Sequence, residues 1–152
     1  MDTSTMTVAG RLLRDDRGEI EDLPGLTILL VGIIAPLLAV VLFMGRYGLA
    51  DSSVQSAAAA AARDASLSRT AAEAVPHAQA AAAIALQGNV HCVGLDVTIG
   101  GNGLTTALGQ TGTVSVTIIC TISNADLAFP LIPGTTTITE TASSPVDPYR
   151  QR

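Results

Sequence analysis

Tryptophan and lysine are absent from this 152-residue chain, which has only two phenylalanines and two tyrosines. Ligand pockets are lined mainly by aromatic and other large apolar side chains, so the shortage of rings counts against a deep, enclosed site. Alanine, glycine and threonine take their place, and they suit close backbone packing and an exposed β surface. Positive charge is scarce as well. All eight basic residues are arginine, and the net charge is −5. Neutralising phosphates needs a basic stripe, so no nucleic-acid partner is expected. At this length the chain forms one domain at most.

Chemistry-bearing motifs are missing too. Cys92, Cys120, His77 and His91 lack the Cys-x-x-Cys or His-x-x-x-His pairing of a zinc site. His91 and Cys92 are adjacent, and neighbours on a strand point to opposite faces, so they do not make a nucleophile–base pair. The segment "GGNG" (100–103) precedes no helical pattern and reads as a loop, not a phosphate cradle. There is no Gly-x-Ser-x-Gly and no pair of catalytic carboxylates. The expectation is a non-enzymatic protein with no catalytic residue, no cofactor and no metal ligand. His77 and His91 are read as ordinary surface or boundary residues.

What is present is one long apolar run. "LTILLVGIIAPLLAVVLFMG" (26–45) carries no charge. As a helix at ~1.5 Å per residue it covers the ~30 Å hydrocarbon core of a bilayer. A cleavable signal peptide has a shorter apolar region of ~7–15 residues, so a retained membrane helix is expected. Arg11, Arg14 and Arg17 precede the run, while Arg46 and Arg63 follow it. This bias puts the N-terminus in the cytoplasm and the C-terminal part outside. Arg46 sits at the boundary, where its side chain can snorkel. Pro36 lies mid-span and cannot donate to the Gly32 carbonyl, so a kink or local loosening is expected there. Gly32, Ala35 and Ala39 form a small-residue face that lets another helix approach closely.

Beyond the run, Ala50, Val54, Ala57, Ala58, Ala61 and Ala65 recur at helical spacing. Asp51, Ser52, Gln55, Ser56 and Arg63 lie mostly opposite. The stripe is made of methyl groups and can sit flush against a flat surface. "TAAE" (70–73) reads as a capping box that opens a second helix after a break near Ser68; Pro76 falls inside that helix unless it starts late.

Composition then changes. "HCVGLDVTI" alternates, with Val93, Leu95, Val97 and Ile99 on one face and Cys92, Gly94, Asp96 and Thr98 on the other. "TVSVTIICTI" is a second strand and "TTTITETA" a third. The fold class expected is α+β: a long membrane-spanning helix and a second helix packed on a small antiparallel sheet with one wet, threonine-rich side. The segments are 1–25, a cytoplasmic leader; 26–45, the membrane helix; 46–89, a helical stalk; and 90–152, a β-rich head.

The two cysteines, Cys92 and Cys120, fit a disulfide in an extracytoplasmic head, worth ~3–4 kcal/mol in the chain-entropy model. Strand parity is awkward, because Cys120 shares the Val114 face while Cys92 lies opposite Val93. Either a bulge near Ile118–Ile119 or a Cys92 placed just before the strand would resolve it.

The order of the parts is similar to a known family. An arginine-bearing leader ending "RDDRGEIE", one membrane helix closing on "GR", then "AAAAAARDASLSR", "VSVTIICTI", "DLAFPLIPG" and "TETASSPVDPYRQR" resemble the TadE-like proteins of tight-adherence (Tad) pili in their actinobacterial form. The likeness covers about Arg14 to Arg150. It implies a pilin-like fold and a pseudopilin-like, membrane-anchored role in assembling or initiating a thin, type IV-like surface pilus. The implied partners are the membrane, other Tad pilin or pilus-assembly subunits, and a prepilin peptidase that trims some members. Cleavage would fall between Gly18 and Glu19. Type IV-like subunits then carry Glu at the fifth mature position; here that position is Leu23, with Glu19, Glu21 and Asp22 nearby, and Pro24 and Gly25 follow. The alternative for "RDDRGEIED" is a solvated cytoplasmic flank. A different reading of the whole chain is a stand-alone envelope binding module, its ligand held by the loops "GGNGLTTALGQTG" and "NADLAFPLIPG" if these meet at one end of the sheet.

Overall fold

The computed structural model describes residues 23–107, 109–127 and 133–149. Among the described residues five elements follow one another: α1 (Leu23–Leu67), α2 (Ala71–Leu86), β1 (Cys92–Gly101), β2 (Gly112–Ser123) and β3 (Thr135–Val146). The fold is α+β. The chain divides into two compact units, Met1–Val41 and Leu42–Arg152.

The described part of the first unit is helix. The helical assignment runs unbroken through Pro36, although the ring removes the donor for the Gly32 carbonyl. Its large apolar side chains are exposed: Ile28 is 73% exposed, and Val31, Ile33, Leu37 and Val41 are also largely bare. Water solvates such a surface badly, whereas a hydrocarbon medium does not.

The second unit holds the core. Along α1, Ala50, Val54, Ala57, Ala58, Ala61, Ala62 and Ala65 are buried. This is the expected methyl stripe with Ala62 added. α1 ends at Leu67, and Thr70 caps α2 by accepting a hydrogen bond from the Glu73 backbone N–H. The Glu73 carboxylate accepts from the backbone N–H of Arg69, one residue before the cap. The reciprocal pairing of a capping box is therefore shifted by one. Pro76 lies inside α2, which starts early and tolerates it. α2 turns Ala74, Ala78, Ala82 and Leu86 inward, and Gly88, with φ +79°, follows in the left-handed geometry common after a helix end.

The sheet is an antiparallel meander in the order β1-β2-β3. Central β2 alternates strictly: Val114, Val116, Ile118, Cys120 and Ile122 are buried. Each such Val or Ile contributes roughly 1.5–3 kcal/mol on burial. They meet the alanine stripes of both helices in one core. Small methyls let helix backbones lie close to the sheet, so the strands supply the volume. The other face of the sheet carries hydroxyls, with Thr117 Oγ1 and Thr141 Oγ1 2.8 Å apart across β2 and β3.

Two features depart from expectation. The bulge lies in β1, between Cys92 and Gly94, and not at Ile118–Ile119. Val93 is the extra residue. It is 56% exposed and does not share the inner face with Leu95, Val97 and Ile99. β3 also runs past Ala142 to Val146, through Pro145. Proline is tolerated there because β3 is an edge strand with one unpaired side.

Candidate functional site

The bulge in β1 places both sulfurs. In the register, Leu95 faces Cys120 and Cys92 faces Ile122. With Val93 looped out, Cys92 returns to the inner face, and the Cys92–Cys120 disulfide forms across a Cα–Cα distance of 5.4 Å, inside the usual 4.4–6.8 Å range. The bond ties the start of edge strand β1 to the central strand. It also closes the chain just after α2.

Because their thiols are used in that bond, the cysteines make neither a nucleophile nor a metal ligand. His77 lies on α2 with its Nδ1 3.7 Å from Asp64 Oδ2, an exposed pair of the kind worth little. His91 lies on the far side of α2 in sequence and lines a separate cleft. Among the described residues no three His, Cys, Asp or Glu side chains gather where a metal could sit. "GGNG" forms the turn that leaves β1: Gly101 has φ +90°, and Gly103 donates its N–H to the Thr113 carbonyl at 2.9 Å.

A cleft of about 680 Å³ opens beside the disulfide, walled by Ala83, Leu86, Val90, Cys92 and Leu95. Among the described residues that line it, His91 is the one titratable side chain.

The described ends of the two loops expected to share a ligand lie apart. "GGNGLTTALGQTG" precedes β2 and the segment from Asn124 to Gly134 follows it. In a meander these connections sit at opposite ends of the central strand. Twelve residues of β2 at ~3.4 Å each separate them by roughly 40 Å. The described ends of the two loops therefore do not share one end of the sheet.

The membrane-type features lie on α1. One described helix is long and apolar enough to cross a bilayer, from Thr27 onward. Gly32, Ala35 and Ala39 lie on one side of it, at spacings of three and four. A Cβ built on Gly32 meets nothing within 4 Å, so that face is open for a close neighbour. Gly18 and Glu19, the expected cleavage pair, lie outside the described residues.

No protein-family model, curated protein or solved structure matches the chain.

Proposed function

We propose that this protein is a membrane-anchored, non-enzymatic pseudopilin-like subunit that assists the assembly or initiation of a Tad-type pilus. The observation that carries this reading is the division of labour along α1. Residues from Ile28 to Leu42 present large apolar side chains to their surroundings, and residues from Ala50 to Ala65 bury methyls in a disulfide-bonded α+β core. An anchor that continues as a core helix of the head is what a pilin-like subunit needs. The anchoring half is free to pack among other helices in lipid, while the other half holds the head.

In this reading residues 1–25 are cytoplasmic, 26–45 span the membrane once, and 46–89 and 90–152 lie outside as helical stalk and β-rich head. A disulfide supports the outward placement, since such bonds persist in oxidising compartments. The face of Gly32, Ala35 and Ala39 docks against other pilin or assembly subunits, with close approach allowed by the missing side chains. A prepilin peptidase acting between Gly18 and Glu19 would leave a mature chain starting at Glu19.

The test is Ala35→Leu and Ala39→Leu in the producing cells. Each should reduce the number of pili seen by electron microscopy while the protein stays in the membrane fraction. Unchanged piliation in both variants would count against the proposal.

A further inference from the structure

A second cleft, of about 240 Å³, opens at the point where the apolar run ends. Arg46 is the first residue after Gly45. Its Nη1 donates to the backbone carbonyl of Asp126 at 3.3 Å. That turn is itself fixed, since Asp126 N–H donates to the Ser123 carbonyl at 3.0 Å and Leu127 is buried. This bond uses one N–H of the guanidinium, a group with five donors. Asn89 and His91, from the segment joining α2 to β1, bring two more polar side chains to the same cleft. Its remaining walls are apolar: Leu49, Ala50, Val90, Ile122 and Leu127.

Two further facts fix the level of this cleft. Phe43 and Tyr47, one turn apart, have ring centroids 6.3 Å apart, and both pack half-buried against the core. The last turn of the apolar run is therefore already part of the head. Tyrosine is enriched at membrane–water interfaces and long arginine side chains snorkel there, so on the membrane reading Tyr47 and Arg46 suit the boundary of the run.

We propose that this cleft takes the headgroup of a membrane phospholipid and so holds the head down on the bilayer surface. Arg46, with Asn89 and His91, donates to the phosphate. The apolar walls accept the glycerol and upper acyl region. Asp126 also lines the cleft, so Arg46 and Asp126 cancel in formal charge. That balance suits a zwitterionic headgroup, phosphate plus amine, better than a free anion. The proposal rests on the membrane reading of residues 26–45.

The absence of tryptophan makes a clean test possible. Full-length Leu49→Trp and Ile34→Trp proteins are placed in phosphatidylethanolamine nanodiscs whose acyl chains carry bromine either near the glycerol or near the chain end. Leu49 is 71% exposed and lines the cleft, so tryptophan there reports without disturbing the core. Its emission should fall about twofold or more with shallow bromines, the depth expected of an interfacial side chain. Adding Arg46→Gln should restore most of it, and Arg46→Lys should restore less. An intact Cys92–Cys120 bond in each variant certifies folding. If Ile34→Trp is quenched by deep bromines but Leu49→Trp is not quenched at all, the head does not touch lipid and the proposal falls alone. If neither is quenched, the membrane reading falls with it. Quenching that Arg46→Gln leaves unchanged would overturn the headgroup cleft. So would saturable binding of inorganic phosphate, read as an emission change of Leu49→Trp in a sugar-headgroup detergent.

Discussion

Replacing both cysteines by alanine should destabilise the head strongly. Cys92 and Cys120 are 28 residues apart in sequence. A loop of that length gives about 3.6 kcal/mol of unfolded-state entropy in the chain-entropy model. Domains of this size are stable by ~5–15 kcal/mol, so the bond supplies a quarter or more of the total. Cys120 is fully buried, and trimming it to alanine adds a small cavity cost, on the order of 1 kcal/mol. The assay is urea unfolding of the full chain in detergent, followed by circular dichroism. With a urea slope of ~1–3 kcal/mol per molar, the midpoint should fall by roughly 1.5–4.5 M. Wild-type protein kept reduced should fall nearly as far, because it loses the crosslink and keeps the sulfur volume. If the double variant and the reduced wild type both unfold within ~0.3 M of the oxidised protein, the disulfide is not what staples this alanine-rich core, and the reasoning fails.

Other perturbations test the packing separately. Ala61→Leu forces bulk between α1 and the sheet and should cost ~1–3 kcal/mol, whereas Ala59→Leu on the exposed side should stay within ~0.5 kcal/mol; thermal melts of the two variants make the comparison. Ile118→Ala empties the centre of β2 and should cost ~2–5 kcal/mol in urea unfolding. Gly101→Ala meets a positive φ, and its new Cβ would run into the Thr113 carbonyl oxygen; it should lower the melting temperature and loosen amide-exchange protection in the β1–β2 hairpin. Thr70→Ala removes the cap of α2 and should cost ~1 kcal/mol, seen as faster amide exchange at Ala72 and Glu73.

Much of this architecture was legible from periodicity. The stripe from Ala50 to Ala65 repeats every three or four residues, and the sheet buries those positions. β2 alternates so regularly that its inward set could be named residue by residue. The partnership of Cys92 and Cys120 followed from there being two cysteines and an apparent outward head. Its geometry did not, because a period of two gives no sign of an inserted residue. The bulge at Val93 shows only when β1 is laid against β2. The end of β3 was hidden because "SSPV" reads as a turn, and only an unpaired edge makes proline harmless there. On that edge, Glu140 pairs with Ile118 and so shares the inner face, a charge placement that discourages edge-to-edge association. A register is needed to see it. The separation of the two loops and the meeting of Arg46 with Asp126 join distant parts of the chain, and no local pattern encodes either.

The central claim is that residues 26–45 remain in lipid. Extraction of cell membranes at alkaline pH tests it most directly, since this releases peripheral and soluble proteins but not spanning ones. The full-length or leader-trimmed chain should stay in the membrane pellet and come free only with detergent. Recovery of the intact chain in the detergent-free supernatant would contradict the account.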